Sequence, residues 1–153
     1  MATPGGRAGP PAVVPALGLG LDLVEVARIE RAARRWGDGF LARVFTSGEV
    51  EDAGAGPNRF ERLAARFCAK EAVFKALGRG RPAVGWLDVE IVKTPEGRPE
   101  VVLRGRALQA ARDLGVAAVV VSLTHTRRLA AAQALCLAER SGPGCWAAPG
   151  GRS

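Results

Sequence analysis

A run of apolar residues at helical spacing between positions 58 and 77 constrains this chain more than any other segment. At about 100° per residue, Leu63, Phe67, Phe74 and Leu77 fall on one stripe of a helix. The Gly54-Ala55-Gly56-Pro57 turn precedes that helix, and Gly78 and Gly80 close it. Lys70 sits in the middle of the stripe, where an ammonium needs a carboxylate, a phosphate or a route to water. Glu71 and Lys75, four residues apart, lie side by side at the edge of the stripe and can face a single site.

The elements around this helix mix strands and helices. Leu17, Leu19, Leu21 and Leu23 alternate with Gly18, Gly20 and Asp22. That is the period of a strand with its leucine face buried and Asp22 on the opposite, polar face. From 25 to 36 the period turns helical, with Val26, Ile29, Ala33 and Trp36 on one side, Arg28, Arg31 and Arg35 on another, and Gly37 as the stop. Short helical pieces follow over 40–44 and 47–53. Strands over 87–93 and 100–103 flank Pro95-Glu96-Gly97 as a hairpin, and a helix spans 107–114. The apolar run 116–123 reads as a strand, and 129–138 as a strand rather than a helix because its link to 123 is short. Without strict β-α-β alternation the class is α+β, one compact domain over residues 16–140. The segments 1–15 and 141–153, rich in Pro, Gly and Ala, are expected to be disordered tails.

Composition narrows the function classes. With 153 residues, 48% of them hydrophobic, the chain buries one core. Its net charge is +7, almost all arginine, since Lys70, Lys75 and Lys93 are the only lysines. Such a surface attracts an acidic partner, whether nucleic acid, an anionic membrane, a phosphorylated small molecule or an acidic protein. The absence of tyrosine and of any recognition helix, zinc finger or RNA-binding strand motif speaks against nucleic acid. Cys68, Cys136 and Cys145 form no C-x-x-C pair, so neither a disulfide framework nor a zinc site is expected. No stretch approaches the roughly 18 to 20 apolar residues of a membrane span, and no signal peptide is evident, so a soluble cytoplasmic protein is expected.

Two readings of the polar residues stay open at this level. Glu71 and Lys75 are either a surface ion pair or part of a site, and Asp22 is either a capping acid ahead of the next helix or a ligand. Magnesium gives a reason to bring a helix carboxylate and a strand carboxylate together. It takes oxygen ligands, commonly one or two carboxylates completed by waters and substrate phosphates.

Three ordered motifs carry a resemblance. The stretch from Gly18 to Ile29 is similar to the opening strand and first helix of the holo-acyl-carrier-protein synthases, within the 4'-phosphopantetheinyl transferase superfamily. Phe67-Cys68-Ala69-Lys70-Glu71-Ala72-Val73-Phe74-Lys75-Ala76-Leu77-Gly78 resembles their second signature, at the family's separation from Asp22. Val121-Ser122-Leu123-Thr124-His125-Thr126 resembles the third. The resemblance covers roughly residues 16 to 138.

It implies helices packed on a small, mainly antiparallel sheet, and transfer of the 4'-phosphopantetheine arm of coenzyme A to a serine of an acidic acyl carrier protein. It also implies Asp22 and Glu71 as magnesium ligands and Lys75 beside the coenzyme A pyrophosphate. Arg66 and His125 would hold the adenosine-phosphate portion. Arg28, Arg31 and Arg35 would be the basic surface for the carrier, and the assembly a homotrimer with coenzyme A where subunits meet. Cys68 stands where the family often has another small residue, and its reading is packing. The rivals are a basic nucleic-acid-binding protein, betrayed by salt-sensitive DNA binding without carrier modification, and a non-catalytic protein that keeps the fold.

Overall fold

A computed structural model describes residues 14–79 and 83–139. In chain order they form β1 (Ala16–Glu25), α1 (Val26–Val44), α2 (Ser47–Ala53), α3 (Arg59–Ala76), a 3-10 turn (Trp86–Asp88), β2 (Val89–Lys93), β3 (Pro99–Leu103), α4 (Gly105–Asp113), β4 (Ala118–His125) and β5 (Leu129–Leu137). The two expected tails fall almost wholly on residues 1–13 and 140–153, outside the described residues, as do Gly80 and Cys145.

Strands β1, β5 and β4 make an antiparallel sheet in that order, and β2 pairs with β3 as a separate hairpin. The class is α+β with a small antiparallel sheet, as the sequence implies. Helix α3 packs under the three-stranded sheet, and its stripe residues Leu63, Phe67, Phe74 and Leu77 are all buried. The aromatic rings of Phe67 and Phe74 close on Trp86 at centroid distances of 4.8 and 5.2 Å, which seats the 3-10 turn on the helix.

One expectation is inverted. Leu17, Leu19, Leu21 and Leu23 lie on the outer face of β1 at 45 to 68% exposure, whereas Gly18, Gly20, Asp22 and Val24 face α3. The reason is backbone proximity. A Cβ on Gly20 would stand 1.8 Å from the Ala72 carbonyl oxygen, and one on Gly18 2.0 Å from that of Ala76. Only glycine lets the strand lie this close to the helix. Hydrophobicity alone points the leucines inward; the small residues decide otherwise.

The first helix also departs from its reading. α1 runs through to Val44, kinked at Gly37, whose φ of 54° lies in the left-handed region. Val26 and Ile29 are buried as expected, but Trp36 is 63% exposed and carries the Arg35 guanidinium over its ring.

Lys70 finds the partner its position demands. It is fully buried, with Nζ 2.7 Å from Glu49 Oε2, and donates to the carbonyl oxygens of Val44 and Trp86 at 2.8 and 3.0 Å. Glu49 also closes the capping box of α2: its carboxylate accepts from Thr46 N–H at 2.9 Å, and its own N–H donates to Thr46 Oγ1 at 3.2 Å. A third bond, from Ile91 N–H at 2.9 Å, satisfies the other carboxylate oxygen. Burial pulls the Lys70 ammonium below its ordinary value while Glu49 opposes the shift. Removing one member of such a pair strands a charge in the core, at a cost of about 3 to 5 kcal/mol.

Candidate active site

The sequence-predicted residues fall into two groups. The first assembles where β1 crosses α3. Asp22, on the inward face of β1, is half-buried and accepts from Lys75 Nζ at 2.9 Å; the same ammonium donates to the Leu21 carbonyl oxygen at 2.8 Å. The Cys68 thiol, also on α3, is another neighbour of Asp22. Burial, followed by the charge and hydrogen bond of Asp22, pushes this thiol up to about 12. Cys68 Sγ also contacts the Ala130 carbonyl oxygen at 3.2 Å. No thiolate is available there, so its packing role stands.

Glu71 lies on this same face of α3, three residues after Cys68 and four before Lys75. Asp22 touches a residue on either side of it. Glu71 is half-buried and Lys75 exposed, so the group opens to solvent at the edge of the sheet.

Among the described residues no cluster of three or more His, Cys, Asp or Glu could hold a metal ion. A cage is therefore absent from them, but the donor set fits magnesium. Two carboxylates of hard oxygen, beside an open edge and a lysine that tolerates phosphate, are what an ion finishing its coordination with waters and substrate phosphates requires.

The second group lines a cleft of about 370 Å³ between α3 and the β2–β3 hairpin. Arg62, Ala65 and Arg66 form its floor, and Leu123, Thr124 and His125 close one side; Ile91, Val92, Lys93, Gly97 and Pro99 form the other. Arg66 and His125 both line this cleft. The Arg66 guanidinium is buried and pairs with Asp52, donates from NH1 to the Arg62 carbonyl oxygen at 3.1 Å, and is left with a buried Nε that has no partner. Burial lowers its affinity for the proton against the charge of Glu49. Arg62, Lys93 and His125 line the same cleft, which gives it a basic wall suited to an anion.

Sequence reading missed Arg62, Lys93, Asp52 and the hairpin wall. Lys93 did carry a signal, because all three lysines kept in this arginine-rich chain have specific places: Lys70 in the core, Lys75 beside Asp22, and Lys93 at the cleft, 3.9 Å from Asp52.

The chain does not bring the two groups onto one face. Arg66 and Glu71 are five residues apart, which places them about 140° apart around α3. Asp22 is on β1 and His125 on β4, the two edges of the sheet, with β5 between them. Arg28, Arg31 and Arg35 are exposed on α1, away from the cleft lining.

Comparison with known proteins shows the family. The model of the 4'-phosphopantetheinyl transferase superfamily matches residues 18–133. The holo-[acyl-carrier-protein] synthase of Moorella thermoacetica is 49% identical over 116 residues, 76% of this chain and 90% of that protein. The enzyme of the same name from Solibacter usitatus is 44% identical over 120 residues, 78% of this chain and 96% of that protein. The crystal structure of the Helicobacter pylori holo-[acyl-carrier-protein] synthase in complex with coenzyme A aligns with a TM-score of 0.69 at 27% identity, covering 77% of this chain and 98% of that one.

Proposed function

This chain belongs to the 4'-phosphopantetheinyl transferase superfamily as a holo-acyl-carrier-protein synthase, and from that premise we propose how its own residues divide the work. The reaction moves the 4'-phosphopantetheine arm of coenzyme A to a serine of apo-acyl carrier protein and releases adenosine 3',5'-bisphosphate. The observation that supports the assignment of roles is the β1–α3 crossing, where Asp22 meets Cys68 and Lys75, the residues that bracket Glu71 on one face of α3.

Transfer is a displacement at phosphorus. The serine oxygen attacks the β-phosphate, the P–O bond to the adenosine side breaks, and the bisphosphate leaves. Asp22 and Glu71 would hold magnesium, which when bound draws charge from the pyrophosphate. Lys75 engages Asp22 and the Leu21 carbonyl with two of its three N–H donors, which leaves the third for a phosphate oxygen and the growing charge of the leaving group. Glu71 accepts the serine proton, directly or through one water. In the cleft, Arg66, His125, Arg62 and Lys93 receive the adenosine phosphate. Arg28, Arg31 and Arg35 steer and seat the acidic carrier.

The separation of the two groups supports a homotrimer with the site at its subunit boundaries. Within one chain the two groups lie on different faces of α3 and at opposite edges of the sheet. A ring of subunits instead sets the Asp22 edge of one chain against the His125 edge of the next, a heterologous contact that closes on itself. The exposed leucine row of β1, with Val120 at 49% and Leu129 at 43% exposure on the same sheet, supplies the apolar surface for it.

Incubating the protein with apo-carrier, coenzyme A and magnesium, then weighing the carrier, tests the reading. The carrier gains one phosphopantetheine arm, EDTA prevents this, and Asp22→Ala or Glu71→Ala slows it by about a hundredfold or more. Full transfer by both alanine variants would remove the proposed centre.

A further inference from the structure

The buried Glu49–Lys70 pair takes no part in the chemistry above, yet it joins the parts that frame the nucleotide cleft. One wall of the cleft is the β2–β3 hairpin, which shares no ladder with the three-stranded sheet. Val89 and Ile91 pack the hairpin on the core, but apolar packing has no direction of its own and does not fix where the wall stands. Directional bonds do. Ile91 N–H donates to Glu49 Oε1 at 2.9 Å inside β2, and Lys70 Nζ donates to the Trp86 carbonyl oxygen at 3.0 Å just ahead of it. Glu49 Oε2 and Lys70 Nζ close the link at 2.7 Å. On α3, Lys70 sits one turn after Arg66, which lines the cleft floor. A continuous path of three polar contacts therefore runs from the hairpin wall, through two buried charges, to the helix that carries the floor.

We infer that Glu49 and Lys70 are positioning residues that set the spacing between the hairpin wall and Arg66, and through it the affinity for the nucleotide end of coenzyme A. The inference rests on the assignment of the cleft to that end. It has a kinetic signature that simple structural support lacks, because a pair that only stabilises the fold changes the amount of active protein and leaves the affinity of the folded fraction alone.

Two variants test it: Glu49→Gln, and Glu49→Leu with Lys70→Met. The double variant leaves no lone charge in the core and so keeps the test alive if the single variant does not fold. Each is assayed for thermal unfolding, for kcat and KM with coenzyme A and with carrier, and for calorimetric binding of adenosine 3',5'-bisphosphate. The expected result is a KM for coenzyme A and a Kd for the bisphosphate both raised about tenfold. The carrier KM stays unchanged, and kcat at saturation stays within about twofold. Unchanged KM and Kd in a folded variant, with activity tracking the folded fraction, would overturn the inference while leaving the assignment of the cleft intact. Wild-type protein that transfers the arm but binds the bisphosphate no better than adenosine would overturn both.

Discussion

Replacing Gly20 by alanine tests how the fold makes the site. The added Cβ would lie 1.8 Å from the Ala72 carbonyl oxygen and 2.8 Å from both Ala72 C and Ala76 N, all of them helix backbone. Real Cβ atoms essentially never approach closer than 3.0 Å, so β1 and α3 must part by more than an ångström. No flexible side chain is there to swing away. Overpacking typically costs 1 to 3 kcal/mol, and against backbone the upper end applies, about 3 kcal/mol or a fall in Tm of roughly 10 °C. The same displacement carries Asp22 off Lys75, now 2.9 Å away, and a misplacement of about 1 Å costs on the order of a hundredfold in rate. Differential scanning fluorimetry at fixed protein concentration and carrier-modification kinetics measure the two effects. Gly39→Ala is the control, since nothing lies within 4 Å of its Cβ position on α1, and it should be neutral or stabilise by up to about 1 kcal/mol. A Gly20→Ala protein with the Tm and kcat/KM of the parent would refute the claim that backbone contact sets the Asp22 position.

Three further outcomes are expected. Arg28→Glu raises the KM for carrier about tenfold and flattens its dependence on salt while leaving the KM for coenzyme A alone, read from steady-state kinetics at two ionic strengths. Leu19→Asp, on the exposed face of β1, shifts sedimentation velocity from trimer to monomer and lowers activity with it. Cys68, buried and with its thiol pushed up to about 12, stays protonated at pH 8 and resists iodoacetamide in the folded protein; peptide mass mapping should find it modified only after denaturation.

What was legible in the sequence followed from periodicity where one residue type dominated a face. The α3 stripe, the α2 segment and the hairpin stand where their spacing placed them, because burial of Leu63, Phe67 and Phe74 and the Pro95-Glu96-Gly97 turn leave few alternatives. The helix stop at Gly37 became a kink, since Phe40 and Leu41 beyond it also pack on the core and hold the chain helical. Lys70 was legible as a residue in need of a partner, but that partner was not: Glu49 is twenty-one residues away and looks like a capping acid, which it also is. Asp22 and Lys75 come from segments far apart in the chain, and no spacing rule would join them; only the three ordered motifs did. The cleft was least legible, as its hairpin wall holds ordinary residues that gain meaning from standing opposite Arg66 and His125.

The inverted face of β1 joins these strands of reasoning. Four leucines on one face of a strand are normally core, and here a competing demand moves them outward. The other face must come within backbone contact of α3 so that Asp22 can reach Lys75, and only Gly18 and Gly20 permit that approach. Building the Asp22–Lys75 crossing thus leaves the leucine row on the opposite side of the same strand, beyond the reach of the chain's own core. Burying a leucine side chain contributes about 1.5 to 3 kcal/mol, so leaving four exposed forgoes a large fraction of a domain's net stability unless another surface covers them. The divided site calls for a neighbouring chain at the sheet edges, and the leucines call for apolar cover on the adjoining face. The proposed ring of identical subunits would answer both demands, and oligomerisation would then be a consequence of how the site is made rather than an addition to it.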